Sequence, residues 1–412
     1  MRVVKLKDCC IIKPPKAEAK KLLNETDMVS FVPMNNLGIN RKDLVLDEQK
    51  PLSQVTGSYT YFADNDVLLA KITPCFENGK LGIAKGLTNG IGFGSSEFIV
   101  FRPNKELLAE YLYYFLLRPI FREEGAAVMT GAVGHRRVPK EFIEHTEIPL
   151  PSIEEQKQIV ATLDQAFADI DKARETTEKN LDNVTELFES CLQQTFRGNH
   201  EGWVTNSLKL ITSKIGSGAT PRGGKAAYKS EGISLIRSMN VHDRQFMEKD
   251  LAFIDENQAS KLSNVELNEG DVLLNITGAS VARCCLVQKE YLPARVNQHV
   301  SIIRVRPGTI RPELLCFLLT SKYYKDLLLG IGEAGSTRQA ITKAQIESFE
   351  ISYPIELKDQ HDFINKLSTL EANVLKLKSI YLGKIEALSE LKSSLLQKAF
   401  TGELTQSKGA AA

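Results

Sequence analysis

One stretch of this chain is written twice, and both times it is too long and too regular for an ordinary core helix. The first copy opens at Pro151 with Pro-Ser-Ile-Glu-Glu-Gln and closes on Leu192-Gln193-Gln194-Thr195-Phe196-Arg197-Gly198. The second begins at Pro354 and closes on Leu396-Gln397-Lys398-Ala399-Phe400-Thr401-Gly402. Between these ends apolar residues recur on a heptad beat. Val160, Phe167, Leu181 and Phe188 form one row and Leu163, Ile170, Val184 and Cys191 the other. The second copy has Leu367, Val374, Tyr381, Leu388 and Leu395, with Leu370, Leu377 and Leu391 beside them. Such a period predicts two helices with a coiled-coil seam, each about 45 residues and roughly 67 Å long. Ser152 followed by Glu155 is a capping box, and Gly198 stands where a helix stops. Arg174 and Thr177 interrupt the first seam and Lys384 the second.

Helices of this length bury their stripes best against each other. A parallel pair would require the intervening block to carry the chain back over the full helix length. An antiparallel pair lets that block leave and return at one end, so antiparallel pairing is expected.

The rest of the chain repeats as well. In residues 1–150, short strands are predicted at Ser58–Ala63, Asp66–Thr73, Leu81–Ala84 and Glu97–Arg102, and a helix at Glu106–Arg118. Asp66-Val67-Leu68-Leu69 returns as Asp271-Val272-Leu273-Leu274, Phe101-Arg102-Pro103 as Val305-Arg306-Pro307, and Glu106-Leu107-Leu108 as Glu313-Leu314-Leu315. The loop Thr130 to Arg137 has its counterpart in Ala334 to Gln339. The fold class expected is therefore α+β: two mixed α/β globular blocks joined by two long antiparallel helices in a coiled coil. It is a tandem repeat about a pseudo-two-fold axis. Residues 1–151 form the first block, 152–198 the first long helix, 199–354 the second block, 355–402 the second helix, and 403–412 a flexible tail. A spacing near 204 residues is a duplication, far longer than the roughly 20–50 residues of a solenoid repeat.

Composition excludes several classes. No run of about 18 apolar residues and no signal pattern occurs, so a cytoplasmic protein without a membrane span is expected. Seven cysteines, two pairs of them adjacent, make neither a disulfide framework nor a zinc pattern. The net charge of +1 hides ten acids against five bases over 152–197, with a mild basic excess in both blocks. Gly218 to Lys225 fails as a phosphate loop, because Ala219 and Ala226 stand where glycine and Ser/Thr are needed. Gly90-Ile91-Gly92-Phe93-Gly94 reads as turn chemistry. The chain lacks the Asn-Pro-Pro-aromatic or Asp-Pro-Pro-aromatic stretch of amino-methyltransferases and any Ser/His/Asp or Cys/His constellation. Nothing in the sequence supports catalysis by this chain.

Two similar readers on a pseudo-two-fold axis suit a split target on duplex DNA, with half-sites roughly 34 Å apart presenting the same groove. Phosphate contacts fix register and base-edge contacts read sequence. Arg pairs with guanine, Asn or Gln with adenine, and Ser or Thr with either. In the first block such types gather at Lys71 and Thr73, Asn78 and Lys80, Ser95 and Ser96, and His135, Arg136 and Arg137. In the second they are Ser217, Thr220 and Arg222; Arg237, Ser238 and Asn240; Thr277 and Ser280; Asn297, Gln298 and His299; and Ser336, Arg338 and Gln339. Each alone also fits a solvated loop; the clusters Gly131–Arg137 and Gly335–Gln339 carry most weight, since glycine lets backbone approach phosphate. The competing reading is a helical scaffold whose blocks bind peptides or proteins.

Taken together the chain resembles the specificity subunit of type I restriction-modification enzymes. The resemblance rests on Pro151 with Glu155-Gln156, the repeated Leu-Gln-x-x-Phe-x-Gly, Gly202-Trp203 and Gly216-Ser217-Gly218-Ala219-Thr220-Pro221. Gly270-Asp271-Val272-Leu273-Leu274-x-Ile276-Thr277-Gly278 and Asn297-Gln298-His299 complete it. Asp359-Gln360 replaces Glu-Gln at the second opening, and the first block lacks the Gly-x-Thr-Pro pattern. The resemblance implies two target-recognition domains on duplex DNA, with the helices as ruler and as docking surface for two modification (methyltransferase) subunits and for restriction or motor subunits. S-adenosylmethionine, ATP and Mg would then belong to those partners, and this chain would hold no cofactor.

Overall fold

The computed structural model describes residues 2–197, 201–333 and 340–406. It divides into two compact units: Met1–Glu178 with Gly383–Ala412, and Lys179–Leu382. The division falls inside the long helices rather than at their ends. The first helix runs Ile153–Phe196, 44 residues, and the second Leu357–Thr401, 45 residues.

Within the first unit the opening of the first helix packs with the close of the second. Ile159, Leu163 and Phe167 share one core with Leu396, Ala399 and Phe400. Within the second unit the roles reverse: Phe188, Leu192 and Phe196 share a core with Ile364, Leu367 and Val374. In both units the start of one helix meets the end of the other, so the pairing is antiparallel. This accounts for the repeated closing motif. Its Leu and Phe are the residues each helix plants in the unit it did not begin in. Phe400 lies 4.9 Å from Tyr111 and 5.4 Å from Phe115, centroid to centroid.

The seam of the first helix follows the predicted rows, with Val160, Leu163, Phe167, Ile170, Leu181, Val184 and Phe188 buried or half-buried. Thr177 is also buried and returns its hydroxyl to the Ala173 carbonyl at 2.7 Å. The second helix corrects the expectation. Leu367, Leu370, Val374, Tyr381, Leu388 and Leu395 are shielded, but Leu377 and Leu391 are 40% and 47% exposed. The second row actually runs through Glu371, Lys378, Ile385, Lys392 and Ala399. Three of those five residues are polar, and Glu371 and Lys392 find partners there, which hid the row from an apolar count. Lys392, for instance, bonds Asp171 at 2.8 and 3.0 Å and lies 4.5 Å over the Phe167 ring.

Each globular part is built on the same four-stranded antiparallel sheet. In the first unit the order is Cys10–Ile12, Phe98–Pro103, Val67–Ala70, Leu81–Ile83. In the second it is Thr212–Ser217, Val300–Val305, Val272–Asn275, Cys284–Leu286. The unbroken apolar runs of the inner strands follow from cover on both faces. Val67 and Leu69 enter the core beneath the helix Ala109–Leu117, while Leu68 and Ala70 face a second core. Val272 and Leu274 part from Leu273 in the same way.

The second sheets differ. The first unit has four strands (Glu48–Pro51, Met28–Val32, Ile91–Gly94, Thr60–Ala63) and the second unit three (Ala252–Ile254, Ile233–Ile236, Ala294–Val296). The glycines read as turn chemistry are in fact a strand of this sheet. A Cβ on Gly92 would come within 2.2 Å of the Phe62 ring, and one on Gly94 within 2.4 Å of the Val32 carbonyl oxygen.

Strand register corrects two of the matched segments. Val67 faces Phe101 and Val272 faces Ile303, so the counterpart of Arg102 is Arg304, not Arg306. Arg102 grips Asp66 through two bonds of 2.8 Å, and Arg304 grips Asp271 through two of 2.7 Å. Likewise the helices begin at Ala109 and Pro312, so Glu313-Leu314-Leu315 answers Glu110-Tyr111-Leu112. The start expected at Glu106 falls one turn early.

Short ribbons close each globular part where its long helix begins. Arg2–Lys5 pairs with Glu147–Leu150, and Trp203–Ser207 pairs with Glu350–Pro354. Ser152 and Glu155 cap the first helix reciprocally, at 3.0 and 3.3 Å.

Candidate nucleic-acid interface

Both units carry one backbone frame at the same edge of the four-stranded sheet. In the first, Lys71 N–H donates to the Glu97 carbonyl (2.9 Å) and Val138 N–H to the Lys71 carbonyl (3.0 Å). In the second, Ile276 N–H donates to the His299 carbonyl (3.0 Å) and Ile341 N–H to the Ile276 carbonyl (2.8 Å). Bridges Ile72↔Arg137 and Thr277↔Ala340 complete the match. Lys71 thus stands where Ile276 does, Glu97 where His299 does, and Arg137 where Ala340 does. The frame is held constant and its side chains are changed.

In the first unit this edge forms a cavity of about 420 Å³. Lys13, Lys16, Lys71, Arg137 and Lys140 face it, against a wall that includes Tyr59, Tyr61 and Phe98. Arg137 donates to both carboxylate oxygens of Glu97 at 2.8 Å, which holds the Glu97 carboxyl below its usual range. Burial pushes the Lys71 ammonium down; nearby Lys13 and Arg137 push the same way, and Glu97 opposes them without reversing the direction. Thr73 donates to Glu77 at 2.9 Å, and Arg136 reaches the same carboxylate at 3.7 Å. Ser96 is exposed on the same rim and offers its carbonyl to Lys71, and His135 is exposed in the loop before Arg137.

The remaining candidates of this unit sit differently. Lys80 donates to the Met34 carbonyl at 2.8 Å, Asn78 is exposed in the turn after Pro74, and the Ser95 hydroxyl accepts from Glu97 N–H at 3.2 Å. None of the three lines the cavity.

The second unit replaces cations with neutral polar groups. Thr220 donates to Gln298, the Gln298 amide meets His299 Nε2 at 3.1 Å, and His299 Nδ1 bonds the Thr277 hydroxyl at 2.5 Å. Ser238, Met239, Thr277, Ser280, Arg283 and His299 line an open groove of about 450 Å³. Gly218 explains the Gly-Ser-Gly stretch: a Cβ there would lie 1.8 Å from the Val296 carbonyl oxygen. Its N–H donates to the Asn297 carbonyl, which anchors the segment carrying exposed Ser217, half-buried Thr220 and exposed Arg222.

Two candidates lie beneath the surface. Asn240 is fully buried, donating to the Met247 and Lys249 carbonyls at 2.8 and 3.3 Å and accepting from Arg237 N–H at 3.1 Å. Asn297 is 4% exposed and accepts from His299 N–H at 3.0 Å. Both shape the loops instead of facing outward. Arg237 is committed as well, to the Asp250 carbonyl and the Tyr228 ring. Ser336, Arg338 and Gln339 lie outside the described residues.

Sequence reasoning missed Lys13, Lys16 and Lys140 in the first unit and Met239 and Arg283 in the second. The Lys-Pro-Pro-Lys run at 13–16 was the available signal for the first two. Arg283 is hidden in an apolar run and is turned outward by Ala282, whose φ is 67°. Among the described residues no group of three or more His, Cys, Asp or Glu could hold a metal, and no helix is long and apolar enough to cross a membrane.

The family model for the type I restriction modification DNA specificity domain matches residues 1–180 and again residues 201–386. The type I restriction enzyme EcoEI specificity subunit of Escherichia coli is 37% identical over 179 residues, 43% of this chain and 30% of that subunit's length. A chain from a type I restriction-modification system, solved for its complex assembly and conformational transition, superposes with a TM-score of 0.80 at 19% identity, covering 98% of both chains. The crystal structure of the HsdS subunit from Thermoanaerobacter tengcongensis gives 0.67 at 19% identity, over 98% of this chain and 97% of that one.

Proposed function

The chain belongs to the type I restriction-modification DNA specificity family, and from that premise we propose that it is the non-catalytic subunit that reads a gapped duplex target, one unit per half-site. The observation that carries this is the shared sheet edge with unlike side chains. Lys71, Glu97 and Arg137 in one unit answer to Ile276, His299 and Ala340 in the other. A common frame with exchanged side chains is what reading two different half-sites through similar contacts requires.

The second helix supports a docking role for methyltransferase and restriction subunits. Leu375 and Leu382 on one face, and Leu377 and Ile380 on the opposite face, are 40–61% exposed along a short stretch of this helix. Large apolar side chains left uncovered on both faces favour cover by protein partners. S-adenosylmethionine, ATP and Mg are assigned to those partners.

The test is exchange of one globular part for that of a relative, followed by mapping of modified adenines in the assembled system. One half of the recognised sequence should change and the other persist. A change in both halves would refute reading by separate units, and duplex binding that ignores salt would favour the scaffold alternative, since phosphate contacts make affinity fall with salt.

A further inference from the structure

The cavity of the first unit is unusual in how its charge is arranged. Of its five cations, Arg137 is paired with Glu97 and Lys140 with Glu144 at 2.7 Å. Lys13, Lys16 and Lys71 have no carboxylate partner among the described residues. Lys16 and Lys71 are half-buried, and backbone carbonyls steady their ammonium groups: Gly57 at 2.6 Å for Lys16 and Ser96 at 2.9 Å for Lys71. Each ammonium has three donors, so both keep donors to spare. Gathering three like charges, two of them partly desolvated, costs free energy that the carbonyl bonds and the nearby Glu97 return only in part. The pKa directions agree: burial lowers Lys16, and Lys13 and Lys20 lower it further.

We propose that this cavity is a receptor for phosphate groups, with Lys13, Lys16 and Lys71 as its ligands and Arg137 and Lys140 at its rim. A phosphate group supplies the missing negative charge and enough acceptor oxygens for three ammonium groups. A carboxylate would supply less of both. The Tyr59, Tyr61 and Phe98 wall keeps water from one side and strengthens the attraction. The phosphate comes either from the DNA backbone, which rests on the DNA-specificity reading above, or from a free phosphorylated molecule.

The experiment uses the full chain, inorganic pyrophosphate and a target duplex. Lys13→Gln and Lys71→Gln are compared with Lys105→Gln, an exposed lysine outside the cavity, after circular dichroism confirms that each variant is folded. Calorimetry should show pyrophosphate binding to the parent and to Lys105→Gln, and at least about 10-fold weaker binding to the other two. A DNA source is shown if each cavity variant also lowers the slope of log affinity against log salt by about 0.9 for every phosphate it no longer neutralises. A free phosphorylated source is shown if the slope stays fixed while pyrophosphate binding falls. Equal pyrophosphate affinity in all four proteins, or none in the parent, overturns the receptor. Pyrophosphate binding without any salt-dependent duplex binding would sink the DNA-specificity reading and leave the receptor standing.

Discussion

Gln156 and Gln360 make the same three hydrogen bonds in their respective units. Gln156 donates to the Glu106 carbonyl (2.7 Å) and the Pro151 carbonyl (3.0 Å) and accepts from Leu108 N–H (2.9 Å). Gln360 donates to the Thr309 carbonyl (2.9 Å) and the Pro354 carbonyl (2.8 Å) and accepts from Arg311 N–H (2.8 Å). Both are fully buried. Each ties the entry to a long helix to the turn that launches the helix lying on the sheet.

Gln156→Ala should therefore cost about 2 kcal/mol, because it leaves three partly buried backbone groups unpaired. Gln360→Ala should cost a similar amount. Urea denaturation of each variant checks this, and a loss well under about 1 kcal/mol in either would contradict the clamp.

Arg244 holds the globular part of the second unit to the long helices. Its Nε donates to Glu371 at 2.6 Å, a second nitrogen lies 3.8 Å from Glu189, and the guanidinium stacks 4.9 Å from the Phe188 ring centre. Arg244→Met should destabilise the protein by roughly 2 kcal/mol, since two carboxylates lose their shared partner in a half-buried place. Thermal melting at matched salt measures it. Adding Glu371→Gln to Arg244→Met should recover part of the loss.

Gly218→Ala forces a methyl into the Val296 carbonyl, so the loop that carries Thr220 must move. The variant should keep its helical content by circular dichroism yet lose at least about 10-fold in target-duplex affinity, roughly 1.4 kcal/mol. Gly216→Ala, where a Cβ meets nothing within 4 Å, is the matched control and should bind as the parent does.

Glu97 should titrate below an unfolded glutamate, whose pKa is about 4.3, because Arg137 favours its charged form. A depressed carboxyl adds stability that is fully present above the unfolded value and is lost as pH falls through the folded one. Carbon NMR of the Glu97 carboxyl checks the direction. Arg137→Ala should bring its midpoint up toward the ordinary range.

How far the sequence could be read depended on what each residue was buried against. Val67-Leu68-Leu69-Ala70 was legible as a strand because both faces are covered and every position is apolar. The second sheets were legible only in part: Thr60–Ala63 reads as a strand, but strands such as Ile91–Gly94 trade side chains for close packing and look like turns. The seam of the second helix misled because Glu371 and Lys392 satisfy charge where leucine was expected. Arg102 and Arg304 could be aligned only by strand register, as the intervening loops differ in length. The interface was legible as clusters but not as a frame. Hydrogen bonds such as Lys71 to Glu97 and Ile276 to His299 run between backbone atoms and leave no trace in residue type.

Each long helix finishes in the hydrophobic core opposite the one it started from, so neither half of this polypeptide owns a whole interior. A copy ending after Phe196 would lack Leu396, Ala399 and Phe400 beneath Tyr111, and would itself carry an unburied Leu192 and Phe196. Two such truncated copies could mend each other by exchanging helix ends, giving a symmetric dimer from what is here one continuous molecule.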